Sequence, residues 1–418
     1  VDVSDLDFIA GEMPELHTLD LSEVIIEAYT GKRVAGFTAW PASYFPGRIF
    51  AGSSIRSVSM PTVKVSLGEA IFASSAIETF KLPAAYTEIS AGMFAGCKSL
   101  RTVEFTAPVS IGDHVFAGCT GLAEVKGSQF VKSAGARAFA GCTALKKFAV
   151  GSGLVHIGDE AFEGAGLVNI DLTPAAGLVS IGEWSFASMA SLVDADLGYC
   201  ERIGRGVLWG CTALKSAVYM AGDVPDYAFA GNKIQDGAIA SGTRSLGRYS
   251  MSGMSGVADI ILPGSLEYIG ENAMEYMTGL KNITASGDIV PALGENVWHG
   301  VNQPAVNLYV AHDIADEYKN ARQWQNFNIV SDSGNEDSEA DIAMSMIRAR
   351  FAGDVLQLRS TGADIDRLCI YDPSGSCIAT INPKADNADI DCSAHITRLY
   401  IIHARLADGT EAAIKIAR

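Results

Sequence analysis

A short segment recurs every 21 to 24 residues along most of the chain. This repeat limits the folds open to the sequence more than any other feature. The segment IGDHVFAGCTGL at residues 111–122 has near-copies in AGARAFAGCTAL at 134–145 and in SAGMFAGCKSL at 90–100. A period of this length is typical of solenoids, in which each coil packs only against its neighbours. Alignment of the copies gives twelve units with a large apolar residue at one shared position: Phe50, Phe72, Phe94, Phe116, Phe139, Phe162, Phe186, Leu208, Phe229, Met251, Met274 and Trp298.

Two columns of the alignment predict a turn in every coil. Four residues before the shared apolar position stand nine glycines, two prolines and one serine. These residue types favour tight turns, because glycine supplies positive φ and proline presets a turn angle. The residue immediately before this column is apolar in all twelve units, from Phe45 to Leu293. We therefore expect its side chain to point into the core.

A Leu-x-x-Val-x-Leu pattern follows the turn, as in LRTVEF at 100–105, LKKFAV at 145–150 and LVNIDL at 167–172. The alternation of apolar and polar residues predicts a strand that is buried on one face. Stacked coils would then form one continuous parallel sheet. At about 4.8 Å per strand, twelve coils would extend over about 55 to 60 Å.

The motifs FAGC, IGD-x-AF and Leu-x-x-Val-x-Leu at this period resemble the BspA-like leucine-rich repeats of bacterial surface proteins, which are common in Bacteroidetes. The resemblance covers roughly residues 45–331. Its last part, NLYVAHDIADEYKNARQWQNFNIVS at 307–331, is similar to the cap that often ends such arrays. The resemblance implies a leucine-rich-repeat solenoid, an extracellular or outer-surface location, and a binding or adhesion role.

The pattern changes towards both ends of the chain, which predicts four parts. Residues 1–44 are expected to form an N-terminal cap, because a solenoid end would otherwise expose its core and an open sheet edge. Residues 45–331 form the solenoid with its C-terminal cap, and the acidic residues 332–340 have the composition of a linker. Residues 341–418 contain short strand-like segments and predict a small Ig-like β-sandwich, similar to C-terminal modules of secreted Bacteroidetes proteins. The fold class is therefore mainly β.

Composition and motifs argue against several classes of function. The net charge of −17, from 48 acidic and 31 basic residues, disfavours nucleic acid and anionic membranes as partners. No apolar run is long enough to predict a transmembrane segment in this chain. Signature motifs for nucleophile elbows, phosphate-binding loops, zinc proteases and dinucleotide sites are missing from the sequence. We therefore expect no enzyme activity, no catalytic residue, no cofactor and no metal.

Cys119 illustrates why single residues must be read within the repeat. Its column also contains Ser, Ala, Met, Asn and Val, so we interpret Cys119 as a packing residue rather than a nucleophile. A zinc site built from Cys97, Cys119 and Cys142 would need convergent ligands, which a linear stack does not provide. Disulfides between neighbouring coils are geometrically conceivable.

The polar positions of the predicted strands contain the candidate binding residues. Asn169 and Asp171 lie on one strand, Asp194 and Asp196 lie on the next, and further acidic residues follow at Asp236 and Asp259. Like charges about 5 Å apart repel unless they are solvated, bound to a cation or matched by a basic partner. Three interpretations stay open: a solvated acidic face, a ligand or partner surface, and a divalent cation site.

These observations predict a secreted or surface-displayed, non-catalytic binding or adhesion protein. Its partner would be a protein or a glycan, host extracellular matrix included, and recognition would follow the extended sheet face. One alternative is a structural envelope scaffold or spacer. The other is an enzyme with a dispersed site in the N-terminal cap or the interdomain cleft.

Overall fold

The computed structural model describes residues 1–331, except 35, 199, 201, 219–221, 236, 240 and 241. It also describes residues 347–417, except 353–354, 361–363, 372–376, 393–398 and 408–410. The chain divides into two compact units, Val1–Ser331 and Asp332–Arg418. Within these ranges, none of the helices is both long and apolar enough to cross a membrane.

The first unit begins with the helix Val3–Glu12. Asp2 caps this helix, because its side chain accepts a hydrogen bond from the Ser4 amide at 2.7 Å while Asp5 accepts one from the Asp2 amide at 2.9 Å. The helix buries Leu6 against the first coil. A hairpin of Tyr29–Val34 and Phe37–Trp40 follows. The solenoid core is thus covered at its N-terminal end.

The strands of the Leu-x-x-Val-x-Leu segments form what we call the front face. Their middle residues are buried and the flanking residues are largely exposed, as the alternation predicts. The described strands form three parallel sheets. The first contains Thr18–Asp20, Ser57–Ser59, Thr79–Lys81, Thr102–Glu104 and Glu124–Lys126; the second contains Asn169–Asp171, Asp194–Asp196 and Ser216–Val218; the third contains Gly237–Ala238, Asp259–Leu262, Asn282–Ala285, Asn307–Val310 and Asn328–Ser331.

The prediction of one continuous front sheet is wrong, because LKKFAV at 145–150 forms no strand. The preceding coil contains a short 3₁₀ helix, Ser128–Phe130. The Ala149 amide donates a hydrogen bond to Ser128 Oγ at 2.9 Å. Phe148 packs edge-on against the core ring Phe139, with ring centroids 5.2 Å apart. The segment therefore separates the first front sheet from the second.

Short strands immediately before the turns form the back face. The apolar column that was predicted to point inward is buried in nine coils and half-buried at Leu67, Ile203 and Leu293. The back strands are Tyr44–Phe45, Ser66–Leu67, Glu88–Ile89, Val109–Ile111, Val131–Ala134, His156–Ile157, Ser180–Ile181, Arg202–Ile203, Ser245–Leu246, Tyr268–Ile269 and Ala292–Leu293.

The glycine column that follows the back strands was predicted to supply positive φ angles, and the structure shows a different reason for these glycines. Gly112 does not have a positive φ. Instead, a Cβ at Gly112 would lie 2.8 Å from the carbonyl oxygen of Ile89 in the preceding coil. The positive φ angles occur later in the turn, as at His114 with 57° and Gly118 with 70°. Close approach between coils therefore explains this glycine column.

A row of stacked phenylalanine rings runs through the core. Ring centroids of successive coils are 5.0 to 5.8 Å apart, with interplanar angles of 1° to 23°. The C-terminal end of this core is closed by the helix Ala315–Asn320 and by Trp324, whose indole nitrogen donates to the Pro291 carbonyl at 3.0 Å. Seven rings form the stack: Phe50, Phe72, Phe94, Phe116, Phe139, Phe162 and Phe186.

The second unit contains two antiparallel sheets that share one apolar core. Leu358, Leu368 and Ile402 are completely buried in it. This arrangement agrees with the predicted small β-sandwich. The predicted linker 332–340 lies outside the described residues, and the finer division of the chain stays a prediction. The strands are Ile347–Ala352, Val355–Ser360 and Asn387–Asp391 in one sheet, and Ile365–Tyr371, Cys377–Ile381, Leu399–Leu406 and Glu411–Ala417 in the other.

Candidate functional site

The four predicted binding residues lie together on the second front sheet. Asn169 is the register partner of Asp194, and Asp171 is the register partner of Asp196. Asn169, Asp171 and Asp194 are exposed, and Asp196 is half-buried. Neighbouring strands are about 4.8 Å apart, so the three carboxylates occupy a compact area. We call these four residues the acidic patch.

Two members of the acidic patch also shape the backbone where their strands end. Asp171 Oδ1 accepts hydrogen bonds from the Thr173 amide at 2.9 Å and from the Thr173 hydroxyl at 2.6 Å. Asp196 Oδ1 accepts one from the Gly198 amide at 2.9 Å. Side chains of this type stabilise the turn that follows them. Asp171 and Asp196 therefore have a structural role that exists without any ligand.

The patch differs electrostatically from the first front sheet. There, Glu104 pairs with Lys81 at 2.7 Å, and this hydrogen bond holds the pKa of Glu104 below its usual value. Asp171 and Asp194, in contrast, form no ion pair with any residue that the structure describes. Their charges are consequently available to a partner.

A metal centre finds no support within the described ranges, since no group of three or more potential ligands occurs there. Asp236, which the sequence places next on this face, lies outside the described residues. Asp259 belongs to a separate row of hydrogen-bonded side chains. In this row Asn282 Nδ2 donates to Asp259 at 2.7 Å, Asn307 Nδ2 donates to Asn282 at 3.0 Å, and Asn328 Nδ2 donates to Asn307 at 2.7 Å.

This asparagine ladder, formed by Asp259, Asn282, Asn307 and Asn328, was missed in the sequence. The signal was available, because the four residues occupy one column of successive strands. To find it, the alignment of this column must be extended into the C-terminal cap, where Asn307 and Asn328 lie. The ladder ties together the last coils of the third front sheet.

The buried cysteines act as hydrogen-bond donors in the core. The Sγ of Cys119 donates to the backbone carbonyl of Phe94, the core phenylalanine of the preceding coil, at 3.0 Å. Cys97, Cys142 and Cys211 make the equivalent contact at 3.0 to 3.2 Å. Burial raises the pKa of the Cys142 and Cys211 thiols to about 12 and also raises that of Cys119. Thiols of this kind are poor nucleophiles, which supports the packing interpretation of Cys119.

A known family accounts for the repeat. The family model described as the BspA-type leucine-rich repeat region, with six copies, matches residues 42–142, 109–224 and 222–303. The chain belongs to the BspA-type leucine-rich repeat family. No curated protein gives a significant match.

Several solved structures are similar to this BspA-type chain. A leucine-rich repeat protein from Bacteroides ovatus is 19% identical, with 61% of this chain and 92% of that chain covered and a TM-score of 0.36. A leucine-rich cell surface protein from Faecalibacterium prausnitzii is 21% identical, with 65% and 88% covered and a TM-score of 0.36. The pneumococcal vaccine antigen PcpA is 12% identical, with 76% and 89% covered and a TM-score of 0.42.

A second group, of aromatic residues that are exposed or half-buried at the surface, was also missed in the sequence. Trp184, Trp209, Tyr227, Tyr249 and Tyr276 lie on the segments that connect the back strands to the front strands. We call this side of the solenoid the turn edge. The signal lies in the columns beside the core aromatic, where most coils have other residue types and five consecutive coils each contribute one Trp or Tyr.

Proposed function

We propose that the protein is a non-catalytic binding or adhesion protein, secreted or displayed at the outer cell surface, that recognises a protein or glycan partner along its front face. Family membership supports this assignment. The observation that carries it is the acidic patch. There Asp171 and Asp194, which form no ion pair among the residues described, stand beside Asn169 and Asp196 on paired strands.

The physical advantage of this arrangement is that the patch is oriented before a partner arrives. Backbone pairing fixes the strands, and the bonds to Thr173 and Gly198 fix two of the side chains. Binding then costs little conformational entropy. Like charges at about 4 to 5 Å repel by about 1 kcal/mol in water, and a basic partner would relieve this repulsion. A hydroxyl-rich partner would instead donate hydrogen bonds to the carboxylates.

The test compares binding of the full chain and of a triple variant, Asp171→Asn, Asp194→Asn, Asp196→Asn, to a panel of purified extracellular-matrix proteins and polysaccharides. Surface plasmon resonance gives the dissociation constants. Asparagine is chosen because its side-chain oxygen still accepts the hydrogen bonds that hold the turns. The variant therefore removes charge without removing the local structure.

A matched control removes three charges in and next to the first front sheet instead, with Glu104→Gln and Glu124→Gln on its strands and Glu78→Gln immediately before the strand Thr79–Lys81. We expect the patch variant to bind its partner at least about tenfold more weakly, and the control to retain the wild-type affinity. Equal losses in both variants would indicate a general charge effect and contradict recognition by the patch. A full chain that binds no member of the panel would favour the scaffold or spacer alternative.

A further inference from the structure

A regular row of backbone hydrogen bonds runs along the turn edge. In each of the eleven junctions between successive coils, three amides of one coil donate to three carbonyl groups of the next coil, at 2.7 to 3.2 Å. All of these bonds point in the same direction, as they do in an α-helix, so the peptide dipoles add up along the row. The negative, carbonyl end of the row therefore lies at the first coil. The bonds between the first two coils run from Arg48 to Glu69, from Phe50 to Ile71 and from Gly52 to Ala73.

The carbonyl end of this row is unpaired. In the first coil the equivalent carbonyl groups are those of Gly47, Ile49 and Ala51, and they accept no hydrogen bond from any residue that the structure describes. The equivalent groups of the eleven coils that follow all accept one from the preceding coil. Carbonyl groups without a protein partner are satisfied by water or by a ligand that donates hydrogen bonds.

A cleft of about 280 Å³ opens between the first coil and the end of the N-terminal helix Val3–Glu12. Its lining includes Ile49 and Ala51 on the coil side, and Ile9, Ala10 and Met13 on the helix side. The carbonyl groups in the last turn of a helix have no partner within the helix and form the negative end of its dipole. Two negative ends, one of the hydrogen-bond row and one of the helix, therefore meet at this cleft.

No basic side chain of the cleft compensates these negative ends. The last turn of the helix contains no basic residue, although Lys and Arg are favoured at this place in a helix. The exposed carboxylates of Glu12 and Glu15 stand there instead. Arg48 and His17 are near in the chain but do not line the cleft, and His17 Nδ1 bonds to the Ser54 carbonyl at 3.1 Å. The cleft is therefore electronegative and favours a cation.

The walls of the cleft indicate which kind of cation fits. Ile9, Met13 and Leu16 line it with apolar side chains, and the buried Ser53 hydroxyl has no hydrogen-bond partner among the described residues. A bare metal ion prefers several oxygen ligands that include carboxylates, and it gains nothing from apolar walls. An alkylammonium group has a positive charge, three N–H donors and an apolar stem that packs on such side chains. It matches the carbonyl groups and the apolar walls together.

We propose that this cleft binds a primary alkylammonium group. The N–H groups of the ligand donate to the free carbonyl groups of Ile49 and Ala51, and its alkyl stem packs on Ile9 and Met13. The same chemical group ends a lysine side chain and occurs in free alkylamines, so the ligand is either a lysine of a partner protein or a small amine. The cleft lies outside the front face, and the proposal does not depend on the acidic patch.

The test measures binding to the full chain by isothermal titration calorimetry, with n-butylammonium as the probe. Three matched compounds each change one feature of the probe: n-butanol lacks the charge, butyrate reverses the charge, and n-butyltrimethylammonium lacks the N–H donors. An Ala-Lys-Ala peptide with blocked ends presents the same group on a lysine side chain. Binding of this peptide indicates a lysine of a partner protein as the ligand, and binding of n-butylammonium without the peptide indicates a small amine.

Two variants add the same charge to the same helix. Met13→Lys introduces an ammonium group at the cleft, whereas Phe8→Lys introduces one at an exposed position that does not line it. The first should compete with the ligand and the second should not. Circular dichroism melting curves check that both variants are folded.

We expect n-butylammonium to bind with a Kd on the order of 1 mM, at least about tenfold more tightly than each of the three matched compounds. Met13→Lys should weaken this binding by at least about tenfold and raise the melting temperature, because its own ammonium group lies at the negative ends. Phe8→Lys should keep the wild-type affinity.

The proposal is overturned if n-butylammonium binds no more tightly than n-butanol, or if n-butyltrimethylammonium binds equally well. It is also overturned if Met13→Lys leaves the affinity unchanged. Equal losses in Met13→Lys and Phe8→Lys would indicate a general effect of charge and would contradict binding at the cleft.

Discussion

The stacked core makes Phe116→Ala the most informative change in the solenoid. Phe116 is completely buried, and its ring centroid lies 5.7 Å from that of Phe94 and 5.2 Å from that of Phe139. Truncating a buried phenylalanine costs about 3 to 5 kcal/mol, and two aromatic pairs account for about 1 to 3 kcal/mol of this. We therefore expect the free energy of unfolding to fall by about 4 kcal/mol.

Phe116→Leu should cost only about 1 to 2 kcal/mol, because leucine fills much of the volume and Leu208 occupies the same column in another coil. Phe8→Ala is the control, since Phe8 is 61% exposed and its truncation should change stability by less than about 0.5 kcal/mol. Urea titration followed by tryptophan fluorescence measures the first unit selectively, because all five tryptophans lie within residues 1–331. A loss below about 1 kcal/mol for Phe116→Ala would refute a continuous stacked core.

Single substitutions elsewhere test the thiols, a carboxyl pair and the asparagine ladder. Cys119→Ala should lower the unfolding free energy by about 1 to 2 kcal/mol, because the buried hydrogen bond of the thiol is lost. The wild-type Cys119 thiol should react with a disulfide reagent only after unfolding, and rapid labelling of the native chain would contradict its burial. Burial, followed by the nearby Glu160 carboxyl, raises the pKa of Glu163 above its ordinary value of 4.5. The folded state thus holds this proton more tightly than the unfolded chain, and stability falls as the pH rises above 4.5. Glu163→Gln should therefore raise the melting temperature at neutral pH, with the gain disappearing in acid; a lower melting temperature at neutral pH would refute this. Asn282→Asp should destabilise by about 1 kcal/mol at neutral pH, because a carboxylate cannot donate to Asp259 and repels it; a calorimetric scan should show recovery in acid, and unchanged stability would argue against the ladder.

The repeat period was sufficient to predict the coils and the core because both depend on side-chain alternation, which is visible in one dimension. It could not predict the break between the first two front sheets. LKKFAV has the same alternation as its neighbours, yet Ala149 bonds to Ser128 in the preceding coil. The path of the adjacent coil decides which backbone groups form hydrogen bonds. This path cannot be predicted from the sequence of the segment 145–150 alone.

The acidic patch could be predicted because its residues lie at regular strand positions, whose register follows from the period. The surface aromatic residues of the turn edge were missed because they stand in three different columns of the repeat, in which other coils have other residue types. His114, Trp184 and Asn272 all have positive φ at equivalent places. The sequence shows one Trp or Tyr in each of five consecutive coils, and the coordinates show that these side chains lie on the same side of the solenoid.

The central claim, recognition through the acidic patch, is tested most directly by locating the contact on the unmodified protein. Hydrogen–deuterium exchange of the full chain, with and without the partner found in the binding screen, reports which backbone amides become protected. We predict added protection in peptides that contain Asn169–Asp171 and Asp194–Asp196, with none at Thr79–Lys81 or Thr102–Glu104. Protection confined to residues 347–417, or to the turn edge alone, would contradict the account.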